Sequence, residues 1–232
     1  IAECAEEAAR DITVQTNLLE SRLIAGSRKT FNEFTAEMHA RLDPQAFFKA
    51  KQLEQAERYA RYNDTPFSLE PNCKESPGGL RDLQIIRWIG RATGLGTSWR
   101  QLAKNDLLTD TEARHLEHIE RFLQHTRIRL HYIAGRREEK LLFEHQEAVA
   151  LAFGIGRSAA KRASELLMQR YYRNAKYITQ LNTILLQNFG ERLFPARIAA
   201  PIFIDRNFQV QRDLLDVRSE DLFQREPRTI LE

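Results

Sequence analysis

Cysteine, glycine and proline are scarce in this chain, no apolar run is long, and neither sign of charge dominates. Each shortage removes a class of protein. The two cysteines, Cys4 and Cys73, lie far apart and form no metal-binding spacing, a usage that fits a reducing, cytoplasmic compartment. Ten glycines and seven prolines among 232 residues, with 42% hydrophobic and 29% charged residues, favour a soluble helical protein over a disordered or all-β one. The 35 basic and 32 acidic residues leave a net charge of +3, too even a balance to argue for a nucleic-acid partner. No apolar run approaches the length of a membrane span and no signal peptide opens the chain, so no membrane role is expected. The length suits one large domain or one and a half small ones. Ile1 opens inside an amphipathic helical pattern without an initiator Met, and Arg228–Glu232 stops in what reads as a starting helix. The chain is therefore expected to be a piece of a longer polypeptide.

What the chain does have is a dense cluster of backbone-restricting residues at Leu69–Asp82, LEPNCKESPGGLRD. Pro71 and Pro77 push Glu70 and Ser76 toward extended conformations. Gly78 and Gly79 give backbone freedom and allow close approach. The apolar run that follows (Leu80, Leu83, Ile85, Ile86, Trp88, Ile89) has broad helical spacing. The pattern predicts a loop delivering the chain into a helix that starts near Pro77, with Ser76 as N-cap. Lys74 and Arg81 flank that start, where a cation opposes the helix dipole by ~0.3–1 kcal/mol. Either a carboxylate (Glu70, Glu75 or Asp82) or an anionic ligand at the helix N-terminus should compensate.

Elsewhere helices dominate. Ile1–Arg10 is Ala/Glu-rich, and its helix is expected to continue to about Asn17. The LLESRLI run reads as a buried strand ended by Gly26. Gly26-Ser27 reads as a turn and N-cap before a helix over Thr30–Leu42. Pro44–Tyr62 is a helix with Phe47, Phe48, Leu53, Ala56, Tyr59 and Ala60 as its apolar stripe. A short helix over Trp99–Leu108 precedes a long one over Thr109–Ala134, with Leu116, Ile119, Leu123, Ile128, Leu130 and Ile133 among its buried positions. His115 and His118 share a face of it, but no Cys or carboxylate arrangement completes a metal site, so that face is expected to be solvated. After a break at Gly154–Arg157, another long helix runs from Ala159 to Phe189. Pro195–Pro201 is a linker, and Ile202–Ile204 and Phe208–Val210 flank a hairpin turn at Asp205-Arg206-Asn207.

The string E-P-N-x-K-x-S-P-G-G-L-R-D-L resembles the signature that follows the nucleotidyltransferase core in bifunctional uridylyltransferase/uridylyl-removing enzymes. These enzymes modify the nitrogen-signalling protein PII. Cys73 departs from the pattern, where an aliphatic residue is usual; a small buried thiol can replace a buried methyl group. Asp11–Arg22 is similar to the D-h-T-V-x-T-x-L-L-E-x-R stretch (h, apolar) that closes the core. Arg127-x-x-Leu130-His131 with Leu141–Gln146, and Met168 with Tyr171 and Tyr172, match further elements in the right order.

The resemblance implies a mainly α fold: a helical bundle with a short strand remnant of a nucleotidyltransferase core and a small C-terminal β-hairpin. Residues 1–26 would end the core, 27–194 would form the helical domain, and 195–232 would lead toward a phosphohydrolase domain. It implies transfer of UMP from UTP to a tyrosine of PII with Mg²⁺. Glu20 would be the third metal-site carboxylate; the open alternative is that it pairs with Arg22 or solvent. Lys74 and Arg81 would orient triphosphate or substrate, with Gly78, Gly79 and Glu70 as further binding candidates. Family members place Asp-x-Asp about a dozen residues after a Gly-Ser. None follows Gly26-Ser27, so the first two carboxylates are expected upstream of Ile1 and the chain alone should be inactive. The chain also lacks the His-Asp pair of the phosphohydrolase domain. For Arg127, helix packing with an ion pair is the expectation. Two further readings stay open: a related nucleotidyltransferase with another substrate, and a non-catalytic helical module that docks a partner.

Overall fold

The computed structural model describes residues 1–156, 161–195, 202–211, 214–219 and 221–231. The chain divides into two compact units, Ile1–Leu193 and Phe194–Glu232. The regular elements of the first unit among the described residues are all helices: α1 (Ala2–Arg10), α2 (Ile12–Leu19), α3 (Arg28–Arg41), α4 (Pro44–Ala60), α5 (Leu80–Ala92), α6 (Trp99–Lys104), α7 (Asp110–Ala134), α8 (Phe143–Ala152) and α9 (Ala163–Leu193). The second holds β1 (Ile202–Phe203), β2 (Phe208–Gln211) and β3 (Leu214–Val217), then α10 (Leu222–Arg225) and a 3₁₀ turn over Pro227–Leu231. No described helix is long and apolar enough to cross a membrane.

α5 is the centre of the first unit, packed by α4, α9, α7 and α2. Its apolar run is buried throughout, from Leu80 to Ile89, as its spacing predicts. A central helix needs apolar residues on most of its circumference, and α5 has them. The helix starts later than expected, at Leu80 rather than near Pro77, with Gly79 as a cap that offers no side chain. Gly78 adopts φ +77°, which the right-handed helix does not accommodate. Ser76 instead accepts from the Asn72 N–H at 3.0 Å.

The N-terminal region differs in two places. Asp11 turns extended (φ −132°, ψ 115°) and its carboxylate accepts from the Thr13 and Val14 N–H groups. It thereby ends α1 and caps α2, so no single helix runs to Asn17. The LLESRLI run is not a strand: Leu18 and Leu19 close α2, and Ser21–Gly26 is irregular with Ile24 85% exposed. No partner strand lies in this unit among the described residues, and a lone strand leaves its backbone groups unpaired. Ser27 does cap the next helix, accepting from the Thr30 N–H at 3.3 Å.

On α4 the inward stripe is not the expected one. Phe47 and Phe48 are buried, but the face continues with Lys51, Gln55 and Arg58, while Leu53 is 62% exposed. Those three polar residues point inward because their partners are there. α7 begins at a Thr109–Glu112 capping box and buries Leu116, Ile119, Leu123 and Leu130, whereas Ile128 and Ile133 stay exposed. His115 and His118 are exposed, as expected. The start of the last long helix and the Arg157 end of the preceding break lie outside the described residues, as does the linker after Pro195.

In the second unit the expected hairpin forms, with Ile202 opposite Val210 and Phe203 opposite Gln209. Asp205 accepts from the Asn207 and Phe208 N–H groups at 2.7 and 2.8 Å, closing its turn. β3 adds a third antiparallel strand, giving the order β1-β2-β3; the sequence reading had only the hairpin.

Candidate functional site

The Leu69–Asp82 loop is held at both ends. On one side it meets the segment before α8. Asn72 and Lys140 form an isolated antiparallel bridge, the Cys73 N–H donates to Glu139 O at 2.8 Å, and the Leu141 N–H donates to Pro71 O at 2.9 Å. Arg127 of α7 clamps the same segment with a two-pronged pair to Glu139, both contacts at 2.6 Å. The ion pair expected for Arg127 is therefore present, and its partner is the residue that also holds Cys73. Burial would raise the Glu139 carboxyl, but the Arg127 contacts outweigh that and hold it below its ordinary range. Burial, then the nearby Glu139 charge, pushes the Cys73 thiol up to about 12, so it stays neutral and unreactive at pH 7.

On the other side the loop closes over a buried polar knot that the sequence reading missed. Asp82 is fully buried and pairs with the buried Arg58 of α4. Its second oxygen accepts from Tyr59 Oη at 2.7 Å and from the Gly78 N–H at 2.7 Å. Arg58 also donates to Glu75 O at 2.6 Å. Gln55 donates to Asn182 of α9 at 2.7 Å, and Asn182 donates to Asp82 O at 3.1 Å. The signal for this knot was in the sequence. Lys51, Gln55 and Arg58 recur at one face of α4, and Asp82 shares the inner face of α5 with Ile86 and Ile89.

The two glycines are packing residues. A Cβ on Gly78 would lie 2.5 Å from Ala175 O of α9, and one on Gly79 would lie 2.8 Å from the Lys74 and Ser76 carbonyls. Their N–H groups are engaged, Gly78 by Asp82 and Gly79 by Ser76 O at 2.8 Å. The Leu80 and Arg81 N–H groups donate to Cys73 O and Lys74 O. The donors of the first turn of α5 are thus satisfied from within the loop, and an anion there would have to be met by side chains.

The side chains available are Lys74 and Arg81. Both reach Glu75, Lys74 at 3.2 Å and Arg81 at 3.0 Å, with about a fifth of each side chain exposed. Arg81 also donates to Gln84 and lies over the Trp88 ring, 5.2 Å from its centre. Lys51 sits over the same ring at 4.7 Å, paired with Glu54 at 2.7 Å. Burial lowers the Lys51 pKa, and the Arg81 charge pushes in the same direction. Glu75 answers the cations: burial would raise its carboxyl, but Arg81 and then Lys74 bring it below the ordinary value.

Glu70 and Glu20 stand apart from this group. Glu70 accepts from the Phe143 N–H at the start of α8 at 2.9 Å and pairs with Lys140 at 3.4 Å, so it serves as a cap supplied from another segment. Glu20 is the exposed C-cap of α2. Among the described residues no group of three His, Cys, Asp or Glu could hold a metal ion. A divalent cation prefers several oxygen ligands, so Glu20 alone does not make a Mg²⁺ site.

Comparison with known proteins gives this loop a context. Residues 46–186 match the family model described as GlnD PII-uridylyltransferase. Proteins named bifunctional uridylyltransferase/uridylyl-removing enzyme are similar over all of this chain: 62% identical in Aromatoleum aromaticum, 52% in Bordetella parapertussis and 50% in Nitrosospira multiformis. The chain spans 27%, 27% and 26% of those relatives. No solved structure matches. The matched segment contains α5, the loop, its clamp and the buried knot, and the chain belongs to the GlnD PII-uridylyltransferase family.

Proposed function

We propose that this chain is the helical part of an enzyme that transfers UMP from UTP to the PII signalling protein. On this reading residues 1–26 close a nucleotidyltransferase core, 27–194 form the associated helical domain, and 195–232 lead toward the part that removes UMP again. The observation that carries it is the pairing of Lys74 and Arg81 on one partly open face, inside the segment that matches the family. The loop is fixed by backbone bonds and by the Asp82 knot, so these two cations are presented with little freedom left to lose. Such preorganisation favours binding of a triphosphate over binding by loose surface lysines. Arg81 supplies a planar two-pronged donor and Lys74 a point charge. Glu75 keeps both in place, and an incoming phosphate would share or displace it.

Mg²⁺ belongs to this proposal for the whole protein. This chain offers Glu20 as at most one ligand, and the remaining carboxylates are assigned to the rest of the enzyme. The test is transfer of labelled UMP to purified PII, by the full-length protein and by this chain alone. The full-length protein should label PII and the 232-residue chain should not. Labelling by the isolated chain would contradict the assignment of the missing carboxylates, and labelling by neither would contradict the function.

A further inference from the structure

A second set of cations lies between α7 and α9, and the reading above leaves it unused. The cleft there has a volume of about 700 Å³, within the range of small-molecule sites. α9 contributes Arg170, Arg173 and Lys176 at three-residue intervals, and α7 contributes His115 and His118. No Asp or Glu is among the described lining residues. Arg170 contacts His118 at 3.2 Å and lies over the Phe122 ring, 4.4 Å from its centre. Like charges gathered without a carboxylate repel one another, and a bound anion would relieve that repulsion.

An independent observation also calls for an acceptor. Asn174 lines the same cleft, is 9% exposed, and its Nδ2 is buried without a hydrogen-bond partner. A buried amide donor left unpaired is costly, and proteins tolerate few of them. His115 is stacked on Tyr177 with ring centres 4.4 Å apart, which fixes one wall.

We propose that this cleft binds the phosphate groups of a small molecule. Arg170, Arg173 and Lys176 would supply the charge, and the Asn174 amide, whose Nδ2 is closed off from the cleft as it stands, would turn to donate to a phosphate oxygen. Guanidinium forks match phosphate geometry, and a concave site of this size suits a compact anion. The proposal does not depend on the role given to Arg81.

The test titrates the full chain with inorganic pyrophosphate and, separately, with uridine diphosphate, following heat and the His115 and His118 ring resonances. Saturable binding that shifts both rings is expected. Equal affinities would identify the phosphates as the whole ligand, and tighter diphosphonucleoside binding would add a nucleoside. Arg173→Gln with Lys176→Gln, both at exposed positions, should weaken binding about tenfold or more, because charge-assisted contacts dominate such sites. Asn174→Ala keeps every charge and should weaken binding without lowering thermal stability. Arg81→Gln should leave the histidine shifts intact. Absence of saturable binding overturns the proposal. So does binding that survives the Arg173/Lys176 pair, survives Asn174→Ala, or disappears with Arg81→Gln.

Discussion

Asp82 is the residue on which the site depends most. It joins Arg58, Tyr59 and the Gly78 N–H, and through Asn182 it reaches α9. Replacing a buried ion pair with apolar residues can be neutral, but removing one partner strands the other charge. Asp82→Ala should therefore destabilise the protein by about 3–5 kcal/mol, read by urea unfolding. A loss under about 1 kcal/mol would mean that water enters and solvates Arg58. Arg81, six residues from its partner Glu75, has the opposite character: its side chain is partly exposed, so its replacement should cost little stability. The sequence marks Arg81 as a binding candidate and Asp82 as one of three carboxylates able to compensate the cations there, and it does not place Asp82 against Arg58. Only the placement of α4 against α5 separates them, because that contact is long-range and leaves a weak trace in spacing.

At the scale of elements, the loop works because α9 passes close beneath it. Gly78 has φ +77° and no room for a Cβ against the Ala175 backbone. Gly78→Ala should lower stability by more than the ~1 kcal/mol of the conformation alone, because α9 must also move. A melting temperature equal to the parent's would show that it need not.

The clamp gives the element a pH dependence. Glu139 and Glu75 both have folded pKa values below the ordinary 4.5. A depressed carboxylate adds stability that is present above the unfolded value and lost as pH falls through the folded one. Thermal stability should therefore fall as pH drops below about 4.5, and Glu139→Gln should flatten part of that fall. Stability that stays level from pH 5 to 3 would contradict the pairing. Helix positions were legible in the sequence wherever apolar periodicity was strong, as in α5, or a cap marked the start, as at Ser27. They were not legible where a single side chain redirected the backbone, as Asp11 does. The LLESRLI run misled because its apolar composition suits strand or helix equally, and the choice fell to neighbours that a local pattern does not contain.

For the whole molecule, the family was legible from one fourteen-residue string supported by further matching stretches in the right order, and that string weighed most because Pro and Gly at fixed positions constrain the backbone narrowly. The chain spans about a quarter of the length of the relatives it matches, and on the proposed reading it presents the triphosphate rather than supplying the complete reaction centre. The α5 knot, the clamp on residues 138–142 and the close pass of α9 together hold one short loop still. On the proposed reading, that stillness is what lets Lys74 and Arg81 meet a triphosphate without first being ordered.

The measurement that tests this most directly is UTP kinetics of Arg81→Ala in the full-length enzyme, alongside its melting temperature. The account predicts a kcat/KM for UTP lower by about tenfold or more at a nearly unchanged melting temperature. Arg81→Lys should restore little, since a point charge does not reproduce the guanidinium fork. Unchanged UTP kinetics together with a clearly lowered melting temperature would make Arg81 a structural partner of Glu75 and contradict the account.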